Sequence, residues 1–262
     1  MVYSITLSCR ISHQRLAQAH FTISSPPHRY LTPAVHCYLR QIPTEHHRPL
    51  VTPLLNLMGG PPLTTLTIII SDAAALLNHG VDESYSLTIP SVGAAAVLNA
   101  ETPWGAMRGL EMFSQLVYAK PERVACGLYI SDGPLFPHRG IMLDTARNYY
   151  GVEDLLRLIR AIDMNKLNIF HWHITKSYSF LLVVPSEPEL AAKGAYREEM
   201  KYTAADVKRV VEYGMEHGVR VVPEIDMPEA RKSTTYLTNQ LQNLKGFRGR
   251  GVRRGWPIQG GT

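Results

Sequence analysis

Two histidines flanking a tryptophan, His171-Trp172-His173, are the side chains in this 262-residue chain best suited to chemistry. On a strand, positions i and i+2 point to one face, where imidazoles act as metal ligands or as hydrogen-bonding groups lining a pocket. No third ligand stands at suitable spacing in the sequence. The pair therefore reads as a pocket-lining His173 and a packed His171, with no metal and no cofactor. Glu224 and Asp226 repeat the i, i+2 spacing just before Pro228 and read as acids that support a strand end. Two residues apart on a strand, they share one face. Arg139 precedes the short apolar run Gly140-Ile-Met-Leu143 and Asp144. As an ordinary strand-edge residue it would pair with Asp144 or Asp132.

These residues can meet only if the elements around them alternate in type. Gly140–Leu143 reads as a strand ending in Asp144. Val152, Leu155, Leu156, Ile159 and Ile162 then recur at helical spacing. Leu167-Asn-Ile-Phe170 leads into the histidine pair as the next strand. Thr203-Ala-Ala-Asp206 can open a helix with a capping box, whose buried stripe is Val207, Val210, Val211 and Met215. Gly218 closes that helix in a left-handed cap, and Val219–Val222 resumes as a strand. Such alternation implies a parallel sheet with right-handed crossovers. The α/β pattern is that of an incomplete (β/α)8 TIM-type barrel with about three strands.

A different pattern precedes it. Leu63–Ile70, Tyr85–Ile89 and Ala94–Asn99 read as strands, and Pro103 opens a helix with Trp104, Met107, Leu110, Phe113 and Val117 on one face. The expected organisation is a poorly defined segment over 1–62, a small α+β domain over 63–133, the start of a barrel over 134–228, and a basic Gly/Arg-rich disordered tail over 229–262.

Composition narrows the classes. Hydrophobic residues at 45% and charged ones at 19% suit a globular chain, and no run approaches the roughly 20 apolar residues of a membrane helix. Cys9, Cys37 and Cys126 are too scattered for a disulfide framework. Arg10 and Arg15 interrupt Met1–Leu16, so no secretory leader is read there. The net charge of +5 arises at the two ends, where residues 231–262 alone hold 7 basic side chains and no acid. The Arg/Gly run 246–255 is of a kind that binds RNA, but no RNA-binding module accompanies it. Nucleic acid is not an expected partner.

Four phrases carry a resemblance. They are Pro137-His-Arg-Gly-Ile-Met-Leu-Asp-Thr-Ala-Arg147, Met164-Asn-Lys-Leu-Asn-Ile-Phe-His-Trp-His173, Val184-Pro-Ser-Glu-Pro-Glu-Leu190 and Val219-Arg-Val-Val-Pro-Glu-Ile-Asp-Met-Pro228. In them the chain resembles the family-20 glycoside hydrolases, the β-N-acetylhexosaminidases, and most of all their plant and other eukaryotic members. Trp104-Gly-Ala-Met-Arg-Gly-Leu-Glu111 is similar to the end of that family's smaller N-terminal domain, so the likeness spans about 63–228.

The resemblance implies hydrolysis of terminal N-acetylglucosamine or N-acetylgalactosamine, with the substrate's own acetamido oxygen as nucleophile. It matches Arg139 to an arginine that grips ring hydroxyls through its rigid donor fork, with Asp144 and His173 lining the pocket. The family's catalytic Asp-Glu pair is expected beyond residue 262. Lys176 and Ala230 stand where the family has an Asp and a His that tune the acid. The chain thus reads as a truncated hexosaminidase in which no activity is expected, or as a non-catalytic glycan-binding or subunit-like protein. Its expected partners are amino-sugar-terminated glycans, with a homo- or heterodimer left open. The family suggests the secretory route.

Overall fold

The computed structural model describes residues 4–23, 28–45, 62–93, 95–118, 123–176 and 178–226. The predicted tail over 229–262, and Ala230 with it, lies outside the described residues. So does the Arg/Gly run.

The first unit is a sheet covered by two helices. Its elements are β1 (Ser4–Ile23), α1 (Leu31–Glu45), β2 (Leu63–Ile70), β3 (Tyr85–Ile89), β4 (Ala95–Ala100), α2 (Pro103–Leu116), β5 (Val117–Tyr118) and β6 (Arg123–Asp132). The strand order is β1-β2-β4-β3-β6-β5, and β1 also pairs with β6. Alternation places Tyr85, Leu87 and Ile89 of β3 on the buried face, where they meet Trp104, Met107, Leu110 and Phe113 of α2. Each fully buried side chain of this kind contributes about 1.5–3 kcal/mol.

Two glycines let α2 lie this close. A Cβ at Gly105 would sit 2.3 Å from the Ser84 carbonyl oxygen, and one at Gly109 would sit 2.3 Å from Leu98 Cδ1. Thr102 caps the helix by accepting from the Gly105 N–H at 3.2 Å. The segment expected to be ill defined belongs here, since it supplies β1 and α1, and Leu31, Val35 and Tyr38 of α1 are buried in the same core. Strand pairing to β2 and β6 is long-range information, which weak local periodicity cannot display.

The second unit contains β7 (Gly140–Asp144), α3 (Val152–Met164), β8 (Ile169–Lys176), β9 (Ser179–Phe180), α4 (Pro188–Gly194), α5 (Ala204–Glu216) and β10 (Arg220–Ile225). Strands β10, β8 and β7 form a parallel sheet in that order, and β9 folds back antiparallel on β8. The stripe of α3 (Leu155, Leu156, Ile159, Ile162) packs with Phe170, Trp172 and Ile174 of β8 and Val210 of α5. Thr203 and Asp206 form the expected capping box, and Gly218 has the expected positive φ, 61°. These are the opening units of an incomplete (β/α) barrel, three parallel strands among the described residues.

A buried charged seam joins the two units. Glu83 lies between β2 and β3 in the chain and accepts from Arg108 Nε at 2.9 Å, Arg139 at 2.8 Å and Asn168 Nδ2 at 2.6 Å. Arg108 of α2 continues to Asp163 of α3 at 3.0 Å and to the Gly218 carbonyl at 2.6 Å. Lys166 has a left-handed φ of 54°, and its ammonium reaches back to Asp132 at 3.1 Å and the Tyr85 hydroxyl at 2.9 Å. Burial works to raise the Glu83 carboxyl. The charges of Arg108 and Arg139 and their hydrogen bonds outweigh it and hold that carboxyl below its ordinary value.

Candidate functional site at the carboxyl ends of the strands

Parallel strands deliver their C-terminal ends to one rim. The register pairs Asp144 of β7 with His173 of β8, and His173 with Glu224 of β10. Period 2 places Met142 and Asp144, His171 and His173, and Val222 and Glu224 on the face away from the helices. The opposite face, Leu143, Phe170, Trp172 and Val221, packs into the core. A wall of ionisable groups therefore forms at the same end of three strands, the end at which barrel enzymes hold their substrates.

His173 is the buried centre of that wall, with 8% of its side chain exposed. Its Nε2 lies 3.1 Å from Asp226 Oδ2 and its Nδ1 lies 3.5 Å from Asp144 Oδ2. Asp144 also accepts from Lys176 Nζ at 2.9 Å and from the Arg147 backbone N–H at 3.1 Å. Burial pushes the Asp144 carboxyl up, but the hydrogen bonds from Lys176 and Arg147, then the His173 and Lys176 charges, bring it below the ordinary value. Asp144 is thus an ionised acceptor. His171 bonds to Glu224 Oε2 at 2.5 Å, so this half-exposed histidine is a polar rim residue and not the packed core residue expected.

The two arginines of the first phrase separate sharply. Arg139 precedes β7, so it lies at the opposite end of the sheet from the rim. Its side chain is 11% exposed. The guanidinium donates to the Phe136 carbonyl at 2.7 Å, to the Lys166 carbonyl at 3.0 Å from both Nε and Nη2, and to Glu83. Its acidic partner is neither Asp144 nor Asp132. The structure does not bring Arg139 together with Asp144 and His173. Arg147, three residues beyond the end of β7, does join them. Its Nε lies 3.2 Å from Asp144 Oδ2 with 64% of the side chain exposed, and its terminal nitrogens have no protein acceptor among the described residues.

The loop under Arg147 is pinned from several directions. The Thr145 N–H and hydroxyl both donate to the His173 carbonyl, at 2.9 and 3.2 Å, and Trp172 Nε1 donates to the Thr145 hydroxyl at 3.0 Å. Ser179 and Tyr196 both donate to the Ala146 carbonyl, at 2.6 and 2.7 Å. Chain direction was the available signal for Arg147: a residue after a barrel strand reaches the rim, and one before it does not.

The structure also brings together three groups of metal-ligating type that spacing alone did not reveal. One ligand atom each from His173, Glu224 and Asp226 lie within 4.8 Å of one another. Such a donor set fits a divalent cation in kind, although each of the three is already hydrogen-bonded within the wall.

Two family models tile these units. Residues 4–116 match a model described as beta-acetyl hexosaminidase like, and residues 136–245 match the catalytic domain of glycosyl hydrolase family 20. The chain belongs to glycosyl hydrolase family 20. Relatives within it include a chitooligosaccharidolytic beta-N-acetylglucosaminidase of Bombyx mori, 44% identical over 56% of this chain and 26% of its own length. The beta subunit of Homo sapiens beta-hexosaminidase is 43% identical over 60% of this chain and 28% of its own length.

Among solved family-20 structures, the Flavobacterium johnsoniae chitobiase superposes with a TM-score of 0.72 at 26% identity, covering 86% of this chain and 34% of that one. The Bacteroides fragilis beta-N-acetylhexosaminidase, at 20% identity and a TM-score of 0.66, shares the fold. The family-20 chain in hand thus spans under a third of the length of the curated relatives named above. The family match begins at residue 4, in agreement with the place of β1 and α1 in the first unit.

Proposed function

We propose that this chain carries the amino-sugar-binding wall of a β-N-acetylhexosaminidase barrel, and that as it stands it binds terminal N-acetylglucosamine or N-acetylgalactosamine without hydrolysing it. The observation that carries the reading is the convergence of Arg147, Asp144, His173 and Lys176 at the carboxyl ends of β7 and β8. In this reading the clamp role first expected of Arg139 passes to Arg147. An outward guanidinium fork donates two parallel hydrogen bonds to neighbouring ring hydroxyls. Asp144, held ionised, accepts from a further hydroxyl. His173 is fixed between two carboxylates and completes the wall.

The absence of turnover follows from what the acids are doing. A proton donor to the leaving oxygen needs a carboxyl raised toward the working pH, and Asp144 is shifted the other way. Glu224 and Asp226 are engaged by His171 and His173. Lys176 occupies the position where the resemblance places a tuning acid, and it neutralises Asp144 instead. The family membership and the glycosidase names of the relatives support the substrate class.

The test is a calorimetric titration of the full chain with N-acetylglucosamine, run beside an assay with 4-nitrophenyl N-acetyl-β-glucosaminide. Saturable binding that Arg147→Ala weakens about 10- to 100-fold, with no nitrophenol release, is the expected result. Turnover well above that of the Arg147→Ala protein contradicts the non-hydrolytic half, and no sugar binding contradicts the clamp.

A further inference from the structure

The β10 side of the wall holds a donor set that the clamp uses only in part. His173 of β8 and Glu224 of β10 are partners in register, and Asp226 follows two residues on, toward the same face. One ligand atom from each of the three lies within 4.8 Å of the other two. Around a tetrahedral zinc-type ion, with bonds of about 2.0–2.2 Å, neighbouring donors stand about 3.4 Å apart. Small side-chain rotations close that gap, and both carboxylates have solvent room for them, with 39% of the Glu224 side chain and 46% of the Asp226 side chain exposed.

Each donor is held by a different neighbour. His171 Nε2 engages Glu224 Oε2 at 2.5 Å, and a carboxylate has a second oxygen to offer. The Thr175 hydroxyl donates to the Asp226 backbone carbonyl at 3.2 Å, which fixes the root of that side chain. Behind His173, Nδ1 faces Asp144 Oδ2 at 3.5 Å, the carboxylate–histidine arrangement that orients a metal-ligating imidazole. A neutral imidazole with its proton on Nδ1 presents a lone pair at Nε2. The charges match as well. Lys176 answers Asp144 at 2.9 Å, so Glu224 and Asp226 supply the two negative charges that a divalent ion would meet beside His173.

We propose that His173 Nε2, Glu224 and Asp226 bind one divalent transition-metal ion of the zinc type, bridging β8 to β10. The ion replaces the 3.1 Å hydrogen bond between His173 and Asp226 with a metal bond to each. An imidazole with two carboxylates suits Zn2+ and Co2+, whereas Ca2+ and Mg2+ favour an all-oxygen shell. Three protein donors leave a fourth position to water. Spacing along β8 alone could not display the site, because two of its three donors come from the neighbouring strand and its end. The inference stands apart from the sugar clamp, which relies on Arg147 and Asp144 on the β7 side and survives its failure.

The experiment titrates Zn2+ into the metal-free full chain by calorimetry and follows Co2+ by its visible absorption. One ion per chain, with the absorption of four-coordinate Co2+, is the expected result. Glu224→Gln and Asp226→Asn, substitutions of half-exposed side chains that keep their size, each weaken Zn2+ about 100-fold or more, and Asp144→Asn, which alters only the support behind Nδ1, weakens it about 10-fold. His79→Ala removes one ring of the His79–His138 pair, whose centroids lie 6.4 Å apart, and leaves Zn2+ affinity unchanged. Absence of stoichiometric Zn2+ binding overturns the site. Binding that Glu224→Gln and Asp226→Asn leave intact, or that His79→Ala abolishes, overturns it as well, because the ion then sits on other histidines.

Discussion

Arg139 and Arg147 are the same chemical group eight positions apart, and their surroundings assign them opposite work. The Arg139 guanidinium is buried and committed to Glu83 and two backbone carbonyls. Removing it leaves the Glu83 charge with one fewer partner in a dry seam. Arg139→Ala should therefore cost about 3–5 kcal/mol in chemical denaturation, an effect on stability. Arg147→Ala removes an exposed side chain and should change stability by no more than about 0.5 kcal/mol in the same measurement. Both residues stand in the stretch 137–147, and the resemblance pointed to Arg139, which the structure places at the opposite end of β7 from Asp144 and His173. What it lacked was the end of the strand on which each one falls. His173 and Asp144 were legible because strand period alone brings both to one face. The approach of Glu224 and Asp226 to the histidines was not, since it depends on β10 lying beside β8.

Local signals fixed several elements well. Thr203 and Asp206 were recognisable as a capping box, and the structure has both reciprocal hydrogen bonds. Thr203→Ala should accordingly lower stability by about 1 kcal/mol in denaturant unfolding. The α2 glycines carry a larger penalty. Gly105→Ala drives a methyl group against the Ser84 carbonyl, a backbone atom that cannot rotate away, and should destabilise by about 3 kcal/mol. By contrast β1 and α1 escaped the sequence reading. Side-chain alternation and helical stripes are visible only where one face is dry and the other wet along the whole element. The partners of β1 are β2 and β6, and β6 begins about a hundred residues later, so no local pattern announces them.

The buried carboxylates of Glu83 and Asp163 tie the two units together through Arg108, Arg139 and Asn168, and this makes the fold sensitive to acid. Glu83 and Asp144 both have carboxyls held below their ordinary values. Each contributes stability that is complete above the unfolded-state value, near pH 4. That contribution is lost as pH falls through the lower folded-state value. Thermal unfolding followed from pH 7 to pH 3 should show a melting temperature that drops below about pH 4. Glu83→Gln should melt lower at pH 7 and show a shallower acid limb, because one of the carboxyls responsible is gone. Among the described residues no helix is long and apolar enough to cross a membrane. The claim on which the functional account rests is that the sugar clamp sits at the carboxyl ends of the strands, on Arg147 and not Arg139. N-acetylglucosamine titrated into Arg147→Ala and into Arg139→Lys, which keeps a cation beside Glu83, tests it most directly. Loss of binding in the first and wild-type affinity in the second is the predicted result, and the reverse pattern contradicts it.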